Sequence, residues 1–107
     1  MRKGGGNMEI KKQELDEKIL IELVGEIDGS NVDSFESVMK DASEKGKDLE
    51  VDLEQLEYIS SAGLRVFLIT EKQMKQTQHM MIIKNVGDEI MDIFTVTGFV
   101  KLLNIER

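Results

Sequence analysis

The chain has 107 residues, with 14 Lys and Arg against 21 Asp and Glu, a formal charge of −7 and a pI near 4.7. That length fits one compact domain, and the acidic balance excludes a general nucleic-acid binder, whose phosphate affinity comes from clustered cations. With no Cys and one His there are no disulfides, thiolate sites or multi-histidine metal centres, and no apolar run nears the roughly 20 residues that cross a bilayer.

Residues 1–7 hold three consecutive glycines and no apolar periodicity, and read as a flexible tail ahead of a single domain over residues 8–107. No secretory stretch precedes the domain, so a cytoplasmic location and no membrane contact are expected. Met8–Leu15 alternates imperfectly, as an edge strand does. Asp16-Glu17 makes a turn, and the aliphatic Lys18–Ile27 completes a hairpin. Val32, Phe35, Val38, Met39 and Ala42 then lie on one face of an amphipathic helix, with Ser30 or Asn31 as its cap and Lys45-Gly46 as its stop.

A short strand is expected at Leu49–Leu53, after which Leu56–Ile59 leads into Ser60-Ser61-Ala62-Gly63. Leu64, Phe67, Leu68 and Met74 mark the inner stripe of a second helix that ends at Gln76–Gln78, with Val66 and Ile69 on an adjoining face. Met80–Lys84 is a continuous apolar run, read as a strand covered on both faces. Gly87-Asp88 opens a third helix with Ile90, Ile93 and Phe94 inward, Gly98 ends it, and Leu102–Ile105 supplies a last strand. The order ββαβαβαβ predicts an α/β domain: a mostly parallel mixed sheet of four to five strands, an antiparallel N-terminal edge strand and about three helices. In such a sheet the loops 28–31, 60–63 and 85–88 leave from the carboxyl ends of the strands, where ligands and partners dock.

Few residues suggest chemistry. Glu26 and Asp28 could pair as acid and base, but nothing nearby separates their pKa values, and an extended segment would leave both exposed. His79 reads as a solvated loop residue. Of the seven Met, Met39, Met74 and Met91 fall on or beside helical apolar faces and Met80 and Met81 in a strand, which points to core packing rather than an adaptable binding surface. Asn85-Val86-Gly87-Asp88 lacks the Lys-Ser/Thr of a phosphate loop. Arg65 is the one cation beside the double serine, too little for a phosphate-transfer site. Neither an enzyme nor a cofactor is indicated. The segment Tyr58–Val66 stands out instead, because a strand delivers two serines to a helix start. One serine suffices as a cap, worth about 1 kcal/mol, and Ala62-Gly63 lowers helix propensity while keeping the approach to the hydroxyls open.

At these residues the chain resembles STAS domains, specifically the single-domain bacterial anti-sigma factor antagonists. Val24-Gly25-Glu26-Ile27-Asp28, Tyr58-Ile59-Ser60-Ser61-Ala62-Gly63-Leu64 and Ile93–Phe99 are similar to three family motifs in the family's order, over Met8–Ile105. The resemblance implies partner switching. An unphosphorylated antagonist binds an anti-sigma factor that is also a serine kinase, so a sigma factor is freed; phosphorylation reverses binding, and a metal-dependent phosphatase of the PP2C type resets the protein. By motif position the phosphoacceptor is Ser61. Asp28, Ser60, Gly63, Glu26 and Arg65 join Ser61 in the partner-facing site, Ser60 standing where many members have Asp. A different STAS role, as an unphosphorylated subunit of a lipid-transport complex or a stressosome-like scaffold, is the alternative, and a small-molecule-binding domain is a third.

Overall fold

The computed structural model describes residues 7–106. Its elements are β1 (Met8–Glu14), β2 (Lys18–Ile27), α1 (Val32–Ser43), β3 (Asp48–Asp52), β4 (Leu56–Ile59), α2 (Ser61–Gln76), β5 (Met81–Lys84), α3 (Asp88–Thr97), a 3₁₀ turn (Phe99–Lys101) and β6 (Asn104–Glu106). The expected tail lies outside the described residues except for Asn7, whose carbonyl accepts from Glu26 N at 2.8 Å and so belongs to the sheet.

The mixed α/β architecture is as the element order implied. The sheet runs β1-β2-β3-β5-β6, with only the β1–β2 pair antiparallel, and β4 also pairs with β2. It has six strands rather than four to five because the segment after Leu49 breaks once. Asp52 Oδ1 accepts from Glu54 N at 2.9 Å and Leu53 O from Leu56 N at 3.0 Å, a turn that interrupts pairing. The chain then rejoins β2, across a register shift at Gly25/Glu26, as the separate strand β4.

Each parallel connection steps the same way across the sheet, so right-handed crossovers place all three helices on one face. Burial follows. Ile19, Ile21 and Leu23 of β2, Leu49 and Val51 of β3, and Met81 and Ile83 of β5 are all within 1% of full burial. Their in-between neighbours Leu20, Glu22, Glu50, Ile82 and Lys84 are only half-buried, the period of two that a one-sided sheet imposes. Over the buried face Phe35, Phe67 and Phe94 form two edge-to-face contacts, at centroid distances of 5.3 and 6.3 Å, that tie α1 to α2 and α2 to α3.

The one-sided cover corrects the reading of Met80–Lys84. Met80 precedes β5 and is 51% exposed, so it packs in no core, whereas Met39, Met74 and Met81 are fully buried and Met91 is partly so. Leu68 and Ile93, expected inward, are half-buried. The expected cap of α1 is also absent. Asn31 occupies the N-cap position, but its Oδ1 accepts from Asp28 N (3.0 Å) and its Nδ2 donates to Glu26 O (2.9 Å), while Ser30 Oγ donates to Asp28 Oδ1 at 2.6 Å. In so tight a turn the polar side chains serve the loop's own backbone before they serve the helix.

The helix-free face is charged. Lys11, Glu22, Asp52, Lys84 and Glu106 form a cross-strand row, and the first four border a shallow hollow of about 590 Å³. Glu50, one row away, receives Lys18 Nζ at 2.6 Å and Lys84 Nζ at 3.3 Å. The hydrogen bond from Lys18, helped by the one from Lys84, holds the Glu50 carboxyl below its ordinary value against a smaller opposing effect of burial.

Candidate functional site

Strands β2, β4 and β5 run parallel, so the segments that follow them leave from one edge of the sheet. Ser60 N donates to Ile27 O at 2.9 Å, which fastens the end of β4 beside the end of β2. Ser60 is extended (φ −80°, ψ 170°) and is the N-cap of α2, its Oγ accepting from Gly63 N at 3.3 Å. Ser61 is the first helical residue and is exposed. The adjacent hydroxyls therefore have different surroundings: that of Ser60 is tied to the backbone and that of Ser61 faces outward at a helix N-terminus, where an added anion is favoured.

Gly63 is buried. A Cβ there would stand 2.7 Å from Ile59 Cγ1 and 3.0 Å from Ile27 Cγ2, so the missing side chain lets α2 start directly on the ends of β2 and β4. Its smallness serves this contact, while exposed Ala62 keeps the Ser61 side uncluttered.

Ser61 opens onto a groove of about 320 Å³ between α1 and α2, bordered by Val32, Asp33, Glu36, Arg65 and Ile69. A smaller hollow of about 150 Å³ continues it along the helices and shares Glu36, Val66 and Ile69. Ile69 is 52% exposed here and Tyr58, two residues before Ser60, 46% exposed. Arg65 thus shares the groove with Ser61, whereas Ser60 and Gly63 do not border it.

Glu26 and Asp28 are on the same sheet edge but do not border this groove, and both are half-buried rather than exposed. Asp28 Oδ1 accepts from Ser30 N and Ser30 Oγ, at 2.9 and 2.6 Å, and so shapes the 28–31 loop. The carboxylates that share the groove with Ser61 are Asp33 and Glu36, which sequence reasoning missed. Their signal was present: they are three apart on the first turns of a helix that starts at the same edge. His79 is half-buried rather than solvated; its Nδ1 lies 3.3 Å from Asp48 Oδ1, which also accepts from Met80 N at 3.0 Å. That contact is at the opposite end of the strands from Ser61. Among the described residues no three His, Asp or Glu are grouped as a metal site, and no helix is long and apolar enough to cross a membrane.

The model of the family described as STAS domain matches residues 8–107. The chain belongs to the STAS family. This STAS domain is 30% identical to the anti-sigma-B factor antagonist of Staphylococcus aureus (strain NCTC 8325) over 94% of each chain. It is 28% identical to the anti-sigma-B factor antagonist of Bacillus subtilis, covering 92% of this chain and 89% of that one. Its fold matches an anti-sigma factor antagonist from Mycobacterium paratuberculosis with a TM-score of 0.83 at 18% identity, over 92% and 85% of the two chains. The antagonist SpoIIAA in its unphosphorylated form matches with a TM-score of 0.78 at 18% identity, over 92% and 89%.

Proposed function

We propose that this STAS domain is an anti-sigma factor antagonist switched by phosphorylation of Ser61. The unmodified edge, with Ser61, Arg65 and exposed Ile69 and Tyr58, binds an anti-sigma factor that is also a serine kinase, and a sigma factor is released. Phosphoryl transfer from ATP to the Ser61 hydroxyl ends the complex, and a PP2C-type phosphatase restores the hydroxyl. The observation that carries this reading is the contrast between the two serines, one committed as a cap and the other exposed at the first position of α2. Curated relatives named anti-sigma-B factor antagonists support the partner class. SpoIIAA, alike in fold, has been solved in both unphosphorylated and phosphorylated forms.

The charge arithmetic agrees. A phosphate adds roughly −1.5 to −2 at a helix N-terminus, where the dipole favours it by about 0.3–1 kcal/mol, so the domain tolerates modification. The interface does not, because the new charge enters beside Asp33 and Glu36 with only Arg65 bordering the groove as a cation. A loss of about 3 kcal/mol weakens binding more than a hundredfold. Incubation with the kinase and ATP, followed by mass spectrometry, is expected to show one phosphate on Ser61. Undiminished incorporation in Ser61→Ala would refute the assignment.

A further inference from the structure

The sheet has two outer strands, and β1 is the longer, with seven residues against three for β6. The two ends of the hairpin fix which way its peptide groups point. Glu26 N donates to Asn7 O and Leu15 N to Lys18 O, both at 2.8 Å. Antiparallel ladders alternate, so the peptide groups of Asn7, Glu9, Lys11, Gln13 and Leu15 face β2, and those of Met8, Ile10, Lys12 and Glu14 point away from it. Among the described residues no strand pairs with that outward edge. The strand holds no Pro, and its pairing with β2 runs through Met8–Glu14 without a register shift, so the edge is a regular template for another strand.

We propose that β1 pairs antiparallel with β1 of a second copy of this chain, across a two-fold axis at Ile10, and joins the two sheets into one. The register follows from the chemistry of the strand. Outward-pointing residues must meet outward-pointing ones, so the axis passes beside a single residue. Centring on Ile10 sets Ile10 against its own copy and Met8 against Lys12, with about six backbone hydrogen bonds. It also sets Glu9 against Lys11 of the second copy, twice. Glu9 and Lys11 then form the pair without hydrogen bonds, whose side chains stand closest. Centring one residue earlier opposes Glu9 to Glu9, and one residue later Lys11 to Lys11. Lysines on an edge strand commonly deter pairing; in the Ile10 register each Lys11 meets a carboxylate.

The surroundings agree with this register. Met8 and Ile10 are partly buried against the core, and Ile10 gains cover from its copy. Glu9 and Lys11 are exposed on the helix-free side. Two Lys and two Glu cancel within β1, in a chain whose formal charge is −7, so two copies meet here without net repulsion. Because β1 is antiparallel to β2, the two-fold also makes β2 of one copy antiparallel to β2 of the other. The two Ser61 edges then point in opposite directions, and neither Ser61 nor Arg65 takes part in the contact. The dimer is therefore independent of the Ser61 reading and presents that edge twice.

Sedimentation equilibrium of the full chain reads the association directly. Pairing over Met8–Lys12 buries less than a standard interface, so the expected dissociation constant is about 0.1 mM. Glu9→Lys alone and Lys11→Glu alone each turn two attractive pairs into repulsive ones, and each is expected to raise that constant about thirtyfold. An equimolar mixture of the two variants restores both attractions in the mixed dimer and is expected to associate as the parent does. The differences narrow in ~0.5 M salt. Lys11 also faces Glu22 within the chain, so Lys11→Glu is expected to melt at a lower temperature than the parent; recovery on mixing then shows that the fold is intact. A parent that stays a 12.2 kDa monomer at ~1 mM would overturn the inference. So would a dimer that survives unweakened in both single variants, or a mixture no more associated than its components, since the contact would then not be these two strands in this register.

Discussion

A methyl group at Gly63 would have to enter a contact that is already closed. It would approach Ile59 Cγ1 to 2.7 Å, Ile27 Cγ2 to 3.0 Å and Ile59 Cδ1 to 3.1 Å, and both isoleucines are at least 98% buried. The closest atom, Ile59 Cγ1, is a methylene within the side chain and Ile27 Cγ2 is a methyl fixed directly to Cβ, so relief requires α2 to lift off the strands or an isoleucine to leave its rotamer. Overpacking of this kind costs about 1–3 kcal/mol. Replacing a helical Gly by Ala returns up to about 1 kcal/mol, less in a first turn. The net expectation for Gly63→Ala is a loss of about 1–2 kcal/mol, which for a domain near this size lowers Tm by roughly 4–10 °C. Far-UV circular dichroism during thermal and urea unfolding measures it. Ile59→Val, introduced together with Gly63→Ala, is expected to cost less than the sum of the two single changes, because the space is shared. A Gly63→Ala protein as stable as the parent would refute the packing role given to this glycine.

Three further outcomes follow from the same structure. Ser60→Ala removes the cap of α2 and is expected to cost about 1 kcal/mol, whereas Ser61→Ala leaves stability within about 0.5 kcal/mol; equal losses in the two unfolding curves would contradict the division of roles. Glu50, held below its ordinary value near 4.5 by Lys18 and Lys84, stabilises the fold above that value and ceases to do so as pH falls through its lower folded pKa. Glu50→Gln is therefore expected to be less stable than the parent at pH 7, with the gap closing below about pH 4, and a gap constant with pH in denaturant titrations would count against the pairing. Glu71 is 4% exposed with Oε1 lacking a hydrogen-bond partner among the described residues, and Oε2 is 3.7 Å from the exposed Lys75 Nζ. Glu71→Met is expected to raise stability by about 1 kcal/mol or more, and a lowered melting temperature would show that the carboxylate is better satisfied than its surroundings indicate.

Elements whose burial is set by local periodicity were legible in the sequence. The spacing of Phe35, Met39 and Ala42 places the inner face of α1, and the alternation in Lys18–Ile27 places that of β2. What depends on tertiary cover was not. A run such as Met80–Lys84 is equally apolar whether helices cover one face of its strand or both, and only the stepping order of the sheet decides between them. The break between β3 and β4 comes from one Asx turn at Asp52, a competition between side chain and ladder that composition does not reveal. In the site, the helix-start serines were readable as a motif, and their separation into cap and exposed hydroxyl needed only helix-start geometry. Asp33 and Glu36 were overlooked because they matter through the neighbouring helix and not through their own segment.

The helix-free sheet face sets a rule for how this chain can vary. Among the described residues no helix packs on Glu22, Glu50, Asp52 or Lys84, so each is constrained mainly by its cross-strand neighbours and by water. Exchanging Glu50 for a lysine alone would leave three like charges together, while reversing it along with Lys18 and Lys84 would restore attraction. Substitutions on this face should therefore be accepted in compensating groups along a row, and a family of such chains would carry there a record of linked exchanges. On the opposite face the alternate positions, such as Ile21, Val51 and Ile83, would be recorded one at a time, as a narrow choice among aliphatic side chains.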